Sequence, residues 1–253
     1  MAERRLDIWT LCRVLWRSFY LQATWNYEGQ QNLGLAATLR PALDRLHGRG
    51  SPEAQTALSE SLKPFNTQPY MSGPILGAVI RLTELGDVLP PDRKERFRLA
   101  LMTAFAAIGD AFFWNAALPA AAVAGLFWGF RGGIWGAVVF LLLFNAAHLT
   151  VRIWGFFLGY RQALNVAGSL DRFNLPLAAV RLRVVIAGGL GLLAAWVLHF
   201  GPASDWSGGG YLLAAFGAGV GILIGRLVLR RGLPVEILIY GILGLLLIWT
   251  HVF

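Results

Sequence analysis

Apolar and polar positions follow two different rhythms along this chain, one before about residue 98 and one after it. In "DIWTLCRVLWRSFYLQATW" (7–25), Ile8, Leu11, Leu15 and Phe19 recur at intervals of three and four, placing one apolar stripe on a helix. Arg13 and Arg17 stand on another face. A soluble core helix would carry the same stripe. The density of Trp and Tyr with Arg opposite, upstream of so much apolar sequence, favours a helix lying in the headgroup region. Turn punctuation follows at "HGRGSPE" (47–53) and "LPPDRKERFR" (89–98). From 99 onward the sequence is nearly continuous apolar residues.

Three stretches near the C-terminus, 184–200, 210–225 continuing through Leu229, and 233–253, each approach the ~20 residues that cross a hydrocarbon core. Their glycines, from Gly188 to Gly225, suit close helix packing. Residues 99–160 are less regular, with interruptions at Gly109-Asp110, Asn115, Pro119, Asn145, His148 and Arg152. Polar groups at bilayer depth are costly unless they face protein or a wet cavity, so broken or re-entrant segments are expected there. The pattern predicts an all-α integral membrane protein in three parts. Residues 1–98 form an N-terminal amphipathic and re-entrant region, 99–170 contain broken apolar segments, and 171–253 hold C-terminal transmembrane helices.

Composition sharpens this picture. Of 253 residues 56% are hydrophobic and 14% charged, and the mean hydropathy is +0.56. A soluble domain carries about 25% charged residues. The formal charge of +8 is spread along the flanks of apolar runs, not gathered on the dense basic face that nucleic acid requires. No nucleic-acid partner is expected. Positive-inside bias puts Arg172, Arg181, Arg183, Arg230 and Arg231 on the cytoplasmic side, with the 201–209 loop and Phe253 outside. Cys12 stands alone, so an intrachain disulfide or a cysteine metal cluster is excluded. The first twenty residues lack an uninterrupted apolar run and a small-residue cleavage site, so a cleaved signal peptide is not expected.

Candidate chemistry lies in five polar stretches: "NYEGQQNLG" (26–34), "FNTQPYMSGPILG" (65–77), "AAIGDAFFWN" (106–115), "FNAAHLTVR" (144–152) and "FLGYRQAL" (157–164). Amides and carboxylates answer hydroxyls that both donate and accept, while aromatic faces stack on a sugar ring. Turn formation and capping would also explain Asn32, Asn66 and Thr67. Asp110 could cap a half-helix starting at Ala111, contact substrate, or do both. Arg152 could pair with Asp110 or with a carboxylate of another subunit, or it could snorkel. His47, His148, His199 and His251 are scattered without metal spacing, and polar packing is expected of each. Hydrolase, Walker and dinucleotide signatures are absent, and "GAGVGILIG" (217–225) lies inside an apolar span.

These stretches resemble the IID subunits of mannose-family phosphotransferase system (PTS) permeases. "NYEGQQNLG" is similar to the family's NYERMQNLG, and "FNTQPYMSGPILG" to FFNTHPYLAAPILG. "IGDAFFW" is similar to GIGDSLFW, and "LLLFNAAHLTVRIWGFFLGYRQAL" to NxxRxxxRxxGLxxGY. The resemblance runs in order from about residue 15 to 170. It implies a multi-pass protein of the bacterial cytoplasmic (inner) membrane that forms a sugar path with a IIC membrane subunit, in an oligomer of IIC–IID units. Cytoplasmic IIA and IIB phosphocarriers would phosphorylate a hexose or amino sugar on entry. No catalytic residue, cofactor or metal is expected on this subunit. Substrate-binding or path-lining roles fall, by the resemblance, on Asn26, Glu28, Gln31, Asn66, Thr67 and Asp110.

The chain also departs from the family pattern. Gly29-Gln30 replace an Arg-Met pair, Gln68 a His, Ala111 a Ser and His148 an Arg, and three C-terminal spans exceed the family's short tail. Glu28 thereby loses a neighbouring cation. A membrane sensor that keeps the fold without transport is the alternative these departures raise.

Overall fold

The computed structural model describes residues 5–86, 90–130 and 132–200. The expected spans at 210–229 and 233–253, the loop around Asp205, Arg230, Arg231 and His251 lie outside the described residues. The chain divides into two compact units, Met1–Gly191 and Leu192–Phe253, and the architecture below is that of the first.

That architecture is all-helical among the described residues. Asp7 starts α1 (Ile8–Ser18) by accepting from the Thr10 amide and hydroxyl, each at 2.9 Å. Ser51 and Pro52 start α3 (Pro52–Ser61) with a cap bond to the Ala54 amide of 3.0 Å. Between them, α2 (Asn32–His47) buries Leu35, Leu39 and Leu43. A 3-10 turn, Pro69–Met71, leads into α4 (Ser72–Glu84), buried on nearly every side. Then α5 (Pro91–Gly109), a π-helix (Asp110–Ala117) and α6 (Leu118–Gly129) follow without a chain reversal. After α7 (Trp135–Gln162) come a short α8 (Val166–Asp171) and α9 (Leu175–Phe200).

Among the described residues three helical runs are long and apolar enough to cross a membrane: Pro91–Gly129, Trp135–Asp171 and Leu175–Leu193. The first two form a hairpin in which Gly125 and Gly129 let α6 approach Gly136 of α7. The interruption expected around 109–119 takes the form of a π-helix. Pro119 has no amide hydrogen and its ring would strike the carbonyl of the residue four before it. A wider turn upstream removes that conflict while the backbone stays paired.

The α4–α7 pair forms the centre, and it is built by omission. A Cβ added to Gly73 would lie 2.2 Å from the Arg152 carbonyl oxygen, and one on Gly77 would lie 2.0 Å from that of Phe156. On the facing helix, a Cβ on Gly159 would lie 2.1 Å from the Pro74 oxygen. Gly73/Gly77 and Gly155/Gly159 are thus two small-xxx-small ridges pressed together, the device by which membrane helices reach close contact. Phe65, Ile75, Leu76, Phe113 and Phe156 fill the surrounding core.

The face buried by α1 differs from the stripe read in the sequence. Thr10, Leu11, Val14, Leu15 and Ser18 pack inward. Ile8, at 55% exposure, turns outward beside Trp9, Trp16 and Tyr20, and Phe19 lies at the margin, partly exposed. Aromatic residues serve a protein core and a headgroup layer equally well, so the apolar count alone selected the wrong neighbours.

Candidate functional site

The segment 26–31 closes on itself. Asn26 and Gln30 exchange backbone hydrogen bonds of 3.0 and 2.9 Å, and Asn26 Oδ1 accepts from the Glu28 and Gly29 amides at 3.1 and 2.8 Å. Asn26 Nδ2 donates to Asn32 Oδ1 at 2.9 Å, and Asn32 Nδ2 donates to the Leu62 carbonyl at 2.7 Å. These bonds hold Glu28 at the tip, exposed to solvent.

The loop leading to the 3-10 turn is bound to this segment. The Gln31 amide donates to the Phe65 carbonyl at 2.8 Å, and the Phe65 amide to the Gly29 carbonyl at 3.2 Å. Gln31, fully buried, then grips the Thr67 backbone at both ends: its Nε2 donates to the Thr67 oxygen at 2.8 Å and its Oε1 accepts from the Thr67 amide at 3.1 Å. The Thr67 hydroxyl donates to the Met102 carbonyl on α5 at 3.2 Å, and the Asn66 amide donates to Met102 Sδ at 3.1 Å. Gln68 caps the 3-10 turn through the Tyr70 amide at 2.7 Å and packs against Gly109, where α5 passes into the π-helix.

One continuous ledge results, from the 26–31 tip through 65–68 to α5 and the π-helix. Asp110 lies about 12 Å along the helix from Met102 at the usual rise. Of the six residues picked out in the sequence, Glu28, Asn66 and Asp110 are exposed on these three segments, while Gln31 and Thr67 are buried against each other. Asn26 is half-buried and shapes the tip. Asp110 does not cap a helix, because it sits inside a helical run with αR geometry. Trp114 and Asn115 are exposed one π-turn further on.

Arg152 does not pair with Asp110, nor does it snorkel. It is 4% exposed, and among the described residues no carboxylate lies within ion-pair range of it. Its guanidinium donates to the Pro69 carbonyl at 2.6 Å and the Ser18 carbonyl at 3.4 Å. It also lies 4.7 Å from the Phe19 ring centre and 5.5 Å from that of Tyr70. The carbonyl end of α1 and two ring faces thus answer its charge. Tyr70 packs tilted on His148 at 4.5 Å and meets Phe113, Trp114 and Phe144 edge-on or tilted. Burial pushes the Tyr70 hydroxyl pKa up, against the opposing pull of Arg152. Gln68 and Met102 are working parts of the ledge that sequence reasoning left without these roles. Only the spacing of Gln68 before Pro69 hints at a cap.

Among the described residues no three His, Cys, Asp or Glu side chains come together to hold a metal. A cavity of about 810 Å³ opens between α2, α3, α4 and the start of α5. It is lined by Leu39, Phe65 and Leu76 with Glu60, Lys63 and Lys94, and by none of the six ledge candidates.

The PTS mannose/fructose/sorbose family IID component matches residues 5–197 of the chain. The mannose-specific EIID component of Escherichia coli K12 is 30% identical over 168 residues, 65% of this chain and 59% of that protein. The fructose permease IID component of Bacillus subtilis 168 is 29% identical over 171 residues, 66% of this chain and 62% of that protein. The chain therefore spans about three fifths of the length of these relatives. In a cryo-EM structure of the mannose transporter ManYZ with microcin E492, one chain superposes with a TM-score of 0.61 at 28% identity. That match covers 74% of this chain and 71% of the other. A second solved chain, described as a membrane protein, gives 0.67 at 28% identity over 77% of this chain and 71% of its own.

Proposed function

The chain belongs to the PTS mannose/fructose/sorbose family of IID components, and from that premise we propose that it lines a sugar path together with a IIC membrane subunit. Phospho-IIB, charged by IIA, would phosphorylate the sugar on entry, in the bacterial inner membrane. The observation that supports this reading is the ledge: the 26–31 tip, Asn66 and the π-helix are joined by direct hydrogen bonds and contacts and leave Glu28, Asn66 and Asp110 exposed. A carboxylate such as Asp110 in an apolar span, with no ion-pair partner among the described residues, is stabilised by a hydrated chamber or a polar partner, not by lipid. Hydroxyl-rich hexoses and amino sugars suit such amides and carboxylates. Asn26, Gln31 and Thr67 would then act by holding the ledge in shape.

Uptake by Glu28→Gln and Asn66→Ala, measured beside co-purification with the IIC subunit, tests the proposal. Lost uptake with intact assembly is the expected result. Normal uptake kinetics in both variants would overturn it.

A sensor that keeps the fold without turnover is the second reading, favoured by one observation. Gln68 and His148, both departures from the family motif, flank Tyr70, and each has a buried nitrogen without a partner among the described residues. Robust phosphoenolpyruvate-dependent sugar phosphorylation in membranes holding the cognate partners would exclude the sensor.

A further inference from the structure

A membrane helix carries its own ruler. On α7, Trp135 and Trp154 are both exposed. At helical rise their spacing corresponds to about 28 Å, close to the ~30 Å of a hydrocarbon core. Trp is enriched at the two interfaces, so the pair marks both boundaries. Trp128 and Phe130 are exposed at the Trp135 end, and Trp154 packs on Phe173 at 4.6 Å at the other. Arg161, Arg172, Arg181 and Arg183 follow Trp154, which makes that end cytoplasmic by the positive-inside bias.

Helix α1 is pinned to this end twice. The Ser18 carbonyl and the Phe19 ring are held by Arg152, two residues from Trp154. At the other end of α1, the Leu6 amide bonds the Glu84 carboxylate, which also accepts from the Tyr160 hydroxyl at 2.8 Å. So α1 packs on α2 while its two ends are tied, through Arg152 and through Glu84 with Tyr160, to the end of α7 beyond Trp154. Its outward face carries Trp9 at 78% exposure and Trp16 at 64%, with Tyr20 and Ile8 also exposed and Cys12 and Arg13 among them. No described element covers this face.

We propose that the outward face of α1 is a docking surface for the anionic lipids of the cytoplasmic leaflet. Arg152 holds the Ser18 end of α1 next to the boundary that Trp154 marks, and Arg13 meets the phosphates, while Arg17 borders the face and donates to the Ala37 carbonyl at 2.9 Å. Charge decides the choice: the exposed ring of aromatics is bordered by arginines, and the helix Ile8–Ser18 itself has no carboxylate. This holds whether or not the chain moves sugar.

Cys12 is the chain's one cysteine, exposed on this face, and takes a fluorophore without engineering. The full chain is labelled there and reconstituted in bilayers containing quencher-headgroup phosphatidylglycerol or quencher-headgroup phosphatidylcholine. The expected result is strong quenching by both, with phosphatidylglycerol preferred. Arg13→Gln should lower that preference about fivefold, as one cation near an anionic surface predicts. Absence of quenching by either lipid would place the face in water or under protein and overturn the proposal. Equal quenching by the two lipids, or a preference untouched by Arg13→Gln, would overturn it as well.

Discussion

Two neighbouring regions of this protein are held by opposite means. Where α4 crosses α7, Gly73, Gly77 and Gly159 bring backbone against backbone, and Gly155 makes room for the Pro74 ring. Where the 26–31 segment meets 65–68, almost every contact is a hydrogen bond from an amide side chain or an irregular backbone group. The first arrangement suits a helix pair that lipid could otherwise separate, since close packing is the attraction available there. The second satisfies non-helical backbone that would be costly near lipid. Arg152 belongs to both: its carbonyl touches Gly73 while its guanidinium holds Pro69. A rigid crossing therefore carries a hydrogen-bonded ledge, and damage to each should look different.

Filling the crossing is the most severe way to break this contrast. Gly77→Ala places a Cβ 2.0 Å from a carbonyl oxygen that cannot swing away. A loss of about 4 kcal/mol, read as a collapse of monodisperse yield and of melting temperature in detergent, is expected. Gly188→Ala is the matched control, because its added Cβ meets nothing within 4 Å. It should melt at or slightly above the parent temperature. Equal behaviour of the two variants would remove packing as the basis of the crossing.

Arg152→Met tests the joint between the two regions. It keeps the bulk but withdraws donors from the Pro69 and Ser18 carbonyls, for an expected cost of about 3 kcal/mol. A melting temperature unchanged from the parent would mean that the rings and packing alone hold the end of α1. Gln31→Ala then acts on the ledge and not on the crossing. Two hydrogen bonds to the buried Thr67 backbone disappear, at about 2 kcal/mol. Hydrogen exchange should accelerate at 65–68 while α4 and α7 keep their protection. Loss of protection in α7 would show that the two regions are not separable. Asn26→Ala removes only the half-buried turn, for about 1 kcal/mol, with exchange rising at Glu28 and Gly29 alone.

Much of the crossing was legible and much of the ledge was not, for physical reasons. An uninterrupted apolar run announces a helix such as α9, because length and hydropathy suffice for that inference, whereas Asn145, His148 and Arg152 read as breaks in a stretch that folds as the single helix α7. The spacing of Gly73 with Gly77 and of Gly155 with Gly159 is equally plain, yet only the fold reveals that the two pairs face each other. The polar motifs marked the right segments. They could not reveal that Gln31 and Thr67, thirty-six positions apart, use up each other's hydrogen bonds. Nor could the sequence distinguish a π-helix from a re-entrant break, since Gly109-Asp110 and Pro119 would accompany either. For α1, Trp and Ile fit core and interface alike, so its inward face became clear only from burial.

The smallest effect lies at the start of α1, outside both regions, and sharpens the comparison by serving as its baseline. Asp7 accepts from the Thr10 amide and hydroxyl, which holds its carboxyl below the usual 3.8, with a further pull from Arg45. A carboxylate depressed in the folded state contributes stability above its unfolded pKa and loses it as pH falls through the lower folded value. Asp7 should therefore leave stability flat from neutrality to about pH 4, with a slight decline below. Asp7→Asn, which keeps a capping oxygen but cannot titrate, should remove that acid decline and leave the neutral melting temperature nearly unchanged. Because Asp7 is solvent-exposed, salt should weaken the effect further. Should Asp7→Asn instead lower stability at pH 7 as much as Gln31→Ala, the end of α1 would have to be counted with the ledge, as a part on which the buried loops depend.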